Sequence, residues 1–279
     1  MSWRAVLVHA AALALAVMTV SAPSASAQVH PPPLCDGGPN GTDVFGVEQD
    51  GSLFAYRHFG AATGSGNWGA KRYIGEGWHG TVRAAGHGTF FFIPIGTGEL
   101  RRYHWDGTYW DNFGDTQYEI VGHGFDRYVG PGRTLSATGD DTFYGIDDSG
   151  ELRSWTQTDG QWQAELIGVG WHTFTRVIAG NSGEFYAFGN DGTAYLYQYA
   201  RYYQRWDIQA LPIGHGWTNF TNTATAGSGV LYTTTPTGTL LWYRHYVTWT
   251  YNGVPQQVGT GWQGITFLAS PASCLPHPA

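Results

Sequence analysis

Bond-breaking chemistry needs carboxylates, imidazoles or thiols set close together, and this chain scatters them. Hydrolysis of a glycosidic bond requires two carboxylates about 5–10 Å apart at one site. Asp50, Asp148 and Asp191 stand at turn signals, Asp43, Glu48 and Asp147 lie in or beside β-rich runs, and no acidic residue follows Asp207. They form no catalytic set, and the Asp-box repeats of sialidases are absent, so a glycoside hydrolase is the weakest of the functional readings. The 11 histidines are spread along the chain. His79 with His172, His123 with His215 and His58 with His245 occupy matching positions of a repeat, which argues for architecture or repeated surface contacts, and no pair has zinc spacing. Asp140-Asp141 and Asp147-Asp148 carry oxygens suited to Ca²⁺, yet they read as solvated hairpin tips. No metal and no cofactor is expected.

What does recur is a recognition element. A hydrophobic residue, Gly-x-Gly and a large aromatic appear five times, at Gly75, Gly77 and Trp78; Gly122, Gly124 and Phe125; Gly168, Gly170 and Trp171; Gly214, Gly216 and Trp217; and Gly259, Gly261 and Trp262. The aromatic returns after 47, 46, 46 and 45 residues. A fixed period of this length means one supersecondary unit repeated along the chain.

Between these elements lies a second set of five, each a turn followed by a β-rich run. Asp50-Gly51, Thr97-Gly98, Ser149-Gly150, Asp191-Gly192 and Thr237-Gly238 precede runs that begin at Leu53, Leu100, Leu152, Ala194 and Leu240. An equally regular run comes before each turn, and no window carries an amphipathic helical pattern. Four short antiparallel strands in about 46 residues is the content of a propeller blade. The chain is therefore read as all-β, a five-bladed propeller. The first blade, entered at Asp43, lacks a first strand, and an extra strand at 265–269 follows the last Gly-x-Gly-Trp. Pairing these two would close the ring. Aligning the copies gives one column that is always aromatic, Tyr56, Tyr103, Trp155, Tyr197 and Tyr243, read as packing between blades. The next two columns, Arg57, His104, Thr156, Gln198, Arg244 and His58, Trp105, Gln157, Tyr199, His245, are read as solvated.

Composition sets the remaining bounds. Arg4, an apolar run from Ala5 to Val20 and the small-residue exit Ala25-Ser26-Ala27 read as a secretory signal peptide over 1–27. The chain is then expected to be secreted, with a lead-in over 28–42, the propeller over 43–270 and a tail over 271–279. The leader contains one charged residue, Arg4, so the mature net charge is −8, which disfavours nucleic acid and anionic membranes as partners. Aromatics make up 16% of the chain and charged residues only 13%, far from disordered composition. Cys35 and Cys274, one near each end of the mature chain, form a bridge more often than two free thiols in an exported protein. A bridge there would stand where other blades have a covalent hairpin.

The stretch Asn67-Trp68-Gly69-Ala70-Lys71-Arg72-Tyr73-Ile74-Gly75-Glu76-Gly77-Trp78, together with the Leu-Tyr and Trp-Tyr-Arg-His strands, resembles the tachylectin-2 type five-bladed β-propeller lectins. The likeness covers nearly the whole mature chain at repeat level. It implies binding of N-acetylated amino sugars, of N-acetylglucosamine or N-acetylgalactosamine type, with one site per blade between neighbouring blades. Each site would combine a connecting segment, one of the five Gly-x-Gly-aromatic elements, with an outer loop. The outer loops carry Asn67 and Trp68 in the first blade, Trp110, Asp111 and Asn112 in the second, Trp162 in the third, Arg205, Trp206 and Asp207 in the fourth, and Trp249 and Asn252 in the fifth. Glycines let backbone N–H groups approach a hydroxyl or carbonyl. The adjoining aromatic has two possible roles, cover for the C–H face of a pyranose or a wedge between blades. Asn67 alone precedes its tryptophan where the family places an Asp-Asn pair, Asp111-Asn112 follow theirs, and Phe125 replaces Trp. A monomeric lectin is expected, with a non-catalytic protein-interaction propeller as the alternative.

Overall fold

The computed structural model describes residues 41–130, 133–138, 142–158, 161–180 and 183–271. The stretch 1–27 read as a signal peptide, Cys35, Cys274 and Asp140-Asp141 lie outside them. Five antiparallel four-stranded sheets form the blades, and each is described from its innermost strand to its outermost. Blade 1 is Thr266–Ala269, Thr42–Val47, Leu53–His58 and Arg72–Gly75; blade 2 is Gly80–Ala84, Thr89–Pro94, Leu100–His104 and Glu119–Gly122. Blade 3 is Thr134–Ala137, Phe143–Ile146, Leu152–Thr158 and Gln161–Gly168; blade 4 is Phe174–Ala179, Glu184–Gly189, Ala194–Ala200 and Arg205–Gly214. Blade 5 is Asn222–Gly227, Val230–Thr234, Leu240–Tyr246 and Gln256–Gly259, with Thr248–Trp249 pairing the far end of its third strand. Helical structure among the described residues is confined to short 3₁₀ turns such as Trp171–Thr173 and Trp217–Asn219.

The ring closes as the phase of the chain ends requires. The last strand pairs with the first in the register Val44 to Ala269, Phe45 to Leu268, Gly46 to Phe267 and Val47 to Thr266. Each innermost strand touches the next, so that Thr266–Ala269 meets both Gly80–Ala84 and Asn222–Gly227. The propeller begins at Thr42, one residue before the expected boundary.

Second strands are covered on both faces by neighbouring blades, which accounts for continuous apolar runs in place of alternation. Phe90, Phe91, Phe92 and Ile93 are all buried, as are Phe185, Tyr186, Ala187 and Phe188. Burial of each such side chain contributes about 1.5–3 kcal/mol. The core is thereby divided into five clusters, one per seam, each drawing residues from two adjacent blades.

The columns read as solvated are corrected most clearly at the seam between blades 5 and 1. His58, Arg244 and His245 are buried, as is Tyr199 in blade 4. His58 Nδ1 lies 2.5 Å from the Tyr232 hydroxyl and Nε2 lies 2.7 Å from the Ser65 carbonyl. A carbonyl only accepts, so Nε2 carries the proton and Nδ1 accepts from Tyr232. The loop of blade 1 that follows His58 takes further bonds from blade 5: Trp242 Nε1 donates to the Ala61 carbonyl at 2.9 Å, Arg244 Nη1 to that of Ala62 at 2.9 Å, and the Tyr251 hydroxyl to that of Thr63 at 3.0 Å. Residues that vary across the repeat thus form a latch across the closing seam, a role no repeat alignment exposes.

Candidate functional site at the blade seams

The five connecting segments share one construction. The backbone N–H of the aromatic donates to the carbonyl of the turn glycine in the same blade: Trp78 to Gly51, Phe125 to Gly98, Trp171 to Gly150, Trp217 to Gly192 and Trp262 to Gly238, all at 2.9–3.0 Å. The two glycine signals of the repeat are thus two ends of one hydrogen bond.

Within Gly-x-Gly the glycines do different work. A Cβ on Gly259 would stand 2.7 Å from Trp262 Nε1, and one on Gly168 would collide with Trp171 Nε1, because the aromatic ring folds back over the first glycine. The second glycine has open space around it but a positive φ, +82° at Gly77 and +80° at Gly261, a conformation that costs an L-residue about 1–2 kcal/mol.

Each ring is a wedge. Trp78, Phe125, Trp171, Trp217 and Trp262 are all buried, which assigns them the second of the two expected roles. The four tryptophans each pack against the column aromatic and the loop tryptophan of the following blade. Trp78 meets Tyr103 and Trp110, Trp171 meets Tyr197 and Trp206, Trp217 meets Tyr243 and Trp249, and Trp262 meets Tyr56 and Trp68, with centroids 4.6–6.5 Å apart within these clusters. In the remaining seam Phe125 packs on Trp155, and Trp162 on Phe143. The expected core packing of the aromatic column is what these clusters contain. A connecting segment therefore works with the outer loop of the next blade, not its own: Gly75 and Gly77 share a seam with Trp110, and Trp68 belongs with Gly259 and Gly261.

The loop tryptophans are half-buried and pinned by their indole N–H. Trp68 donates to the Val258 carbonyl at 2.6 Å, Trp110 to Ile74 at 2.5 Å, Trp206 to Ile167 at 2.9 Å, and Trp249 to Ile213. Trp162 departs from the pattern: its Nε1 is buried without a partner among the described residues.

The seam between blades 1 and 2 is open to solvent. A cleft of about 500 Å³ is lined by Tyr73, Glu76, Gly77, Trp110, Asp115, Thr116, Gln117 and Tyr118, among others. Across the Trp110 ring a second opening of about 540 Å³ is bounded by Tyr109 and Asn112. The N–H groups of Glu76 and Gly77 form no hydrogen bond among the described residues, and both residues line this cleft. Tyr73 and Tyr109 are largely exposed. Partial desolvation, then the hydrogen bond to Glu76, raises the Tyr73 hydroxyl above the usual tyrosine range. The loop is held by Asp106, whose Oδ1 accepts from the N–H groups of Tyr109 and Thr108 at 2.6 Å each, keeping its carboxyl below the ordinary range. Thr116, Gln117 and Asp115 went unread in the sequence, because the second outer loop is longer than the others and aligns with none of them.

The other expected residues have local roles. Asp111 pairs with His104 at 2.7 Å, Arg205 with Asp207 at 2.8 Å while lying over the Tyr203 ring, and Asn67 uses its carbonyl to cap Phe59. Asn252 is exposed in a left-handed conformation, φ 53° and ψ 30°. Of the repeated histidines, His79 and His172 cover the turn glycines Gly51 and Gly150, and no group of potential metal ligands occurs among the described residues.

The fold and its seams define a five-bladed β-propeller whose aromatic inter-blade seam is repeated five times. The family model described as Tachylectin matches residues 46–271, and the chain belongs to that family. None of the curated proteins matches it. Among solved structures, one described as "the de novo evolutionary emergence of a symmetrical protein is shaped by folding constraints" is similar with a TM-score of 0.54 and 16% identity over 84% of this chain and 99% of that one. The six-bladed fungal lectin of Aleuria aurantia, described with a fucose recognition mode, has a TM-score of 0.47 and 14% identity over 81% and 76%. Apo AztD of Citrobacter koseri has a TM-score of 0.39 and 11% identity over 82% and 98%.

Proposed function

We propose that this chain is a secreted, monomeric and non-catalytic lectin that binds neutral glycans bearing N-acetylated amino sugars at the seams between its blades. The observation that carries this reading is the seam between blades 1 and 2, where the pinned Trp110, Glu76 and Gly77 with their unpaired N–H groups, Thr116 and Gln117 all line one open cleft. Aromatic edges with a few fixed polar groups suit a neutral sugar. Membership in the Tachylectin family supports the same reading, and the net charge of −7 disfavours strongly anionic glycans.

Repetition supplies what a single shallow cleft lacks. A weak monosaccharide site gains roughly 10²–10⁴-fold on a repetitive glycan when several seams engage together. A glycan array probed with the chain from Gln28 onward tests the reading. Signal on neutral N-acetylated glycans, rising with their surface density, is expected; a blank array with a protein ligand captured instead would transfer the function to protein interaction.

A further inference from the structure

The innermost strands of all five blades enclose a central channel of about 210 Å³. Its wall carries hydroxyl and amide groups, among them Ser136, Thr223 and Asn222, and among the described residues no aspartate or glutamate lines it. Three arginines do. Arg133 is paired with the exposed Asp148 at 3.1 Å. Arg83 and Arg176 have no carboxylate partner among the described residues.

Both are held by neutral oxygens instead. Arg83 donates from Nε to the Leu135 carbonyl and from Nη1 to that of Val82; Arg176 donates from Nη1 to Thr223 Oγ1 and from Nη2 to the Phe220 carbonyl. A guanidinium has five N–H groups, so three on each remain unassigned. Burial lowers both, Arg83 to about 10. A half-buried cation without a counter-charge is costly, and two line this one channel of a chain whose overall charge is −7. The channel can be entered. An opening of about 420 Å³, lined by Gln263 and Thr266, shares Arg83, Thr221 and Asn222 with it.

We propose that the central channel binds a small oxyanion of the phosphate or sulfate type against the remaining N–H groups of Arg83 and Arg176. The planar guanidinium matches such oxygens in geometry as well as charge. This site is separate from the seams and independent of their ligand.

Inorganic phosphate titrated into the full chain at fixed ionic strength, followed by calorimetry and thermal unfolding, tests the proposal. Saturable binding and a rise in Tm of about 5–10 °C at a hundredfold excess over Kd are expected, with no such rise from sodium chloride at matched ionic strength. Arg83→Met and Arg176→Met should each remove most of the phosphate response, and each variant should be at least as stable as the parent without phosphate. A merely structural role for the two arginines would instead give destabilised variants that keep the response. Absence of saturable phosphate binding to the parent chain, a Tm rise equalled by chloride, or an undiminished response in both folded variants would each overturn the proposal. The parent titration decides the matter even where a variant fails to fold.

Discussion

The same substitution at two symmetry-related tryptophans should have unlike effects. Trp110→Phe removes the indole N–H that bonds the Ile74 carbonyl at 2.5 Å. It leaves a half-buried acceptor without its partner, at a cost of about 1–2 kcal/mol, added to the loss of ring contacts. Trp162→Phe loses comparable ring contacts but also removes an N–H that is buried and unpaired among the described residues, so relief of about 1–2 kcal/mol offsets the loss. The two variants should therefore differ by about 2–4 kcal/mol, with Trp162→Phe near neutral. Urea unfolding followed by circular dichroism measures this, provided the slope is unchanged. In thermal unfolding the gap corresponds to about 4–16 °C for a domain of this size. Equal destabilisation at the two positions, within about 0.5 kcal/mol, would refute the assignment of the indole bonds as what fixes the loops.

Two further predictions concern stability. Burial pulls His58 down to about 4 from 6.5, so between these values the unfolded chain takes up a proton that the folded one does not. Stability then falls as pH drops through that window, by on the order of 3 kcal/mol in total. Glu184 acts in the opposite sense: burial raises it to about 7 from 4.5, the folded chain keeps a proton the unfolded one releases, and stability falls as pH rises between those values. Because the two windows overlap and the terms oppose, they largely cancel in the parent; relative to it, unfolding midpoints from about pH 4 to 8 should fall with rising pH in His58→Asn and rise with pH in Glu184→Gln, and profiles parallel to the parent would contradict both. At the connecting segments, Gly77→Ala should cost about 1–2 kcal/mol through its left-handed φ alone. Gly168→Ala drives a Cβ into the Trp171 ring and should cost about 1–3 kcal/mol. Quenching of tryptophan fluorescence tells them apart, because only Gly168→Ala should loosen the wedge.

The ring was legible because each blade repeats the same local instructions: turn glycine, β-rich run, Gly-x-Gly and aromatic. Strand phase at Asp43 and Ile265 likewise revealed the closure. The partners across a seam were not legible, because the ring offsets them by one blade: Trp110 lies 32 residues beyond Trp78 in sequence yet packs against it at 5.3 Å. Residues unique to one blade were also hidden. Thr116 and Gln117 sit in the longest outer loop, and His58 and Arg244 read as solvated variation because their partners lie across the closing seam. Arg83 and Arg176 did leave a signal, a lone cation beside valine in a first strand, which the period alone does not interpret.

Isothermal titration of N-acetylglucosamine into the chain from Gln28 onward tests the central claim most directly. Repeated seam sites predict a stoichiometry between two and five per chain, reduced in Trp110→Ala. A stoichiometry of one, or no heat of binding from any N-acetylated amino sugar, would contradict it.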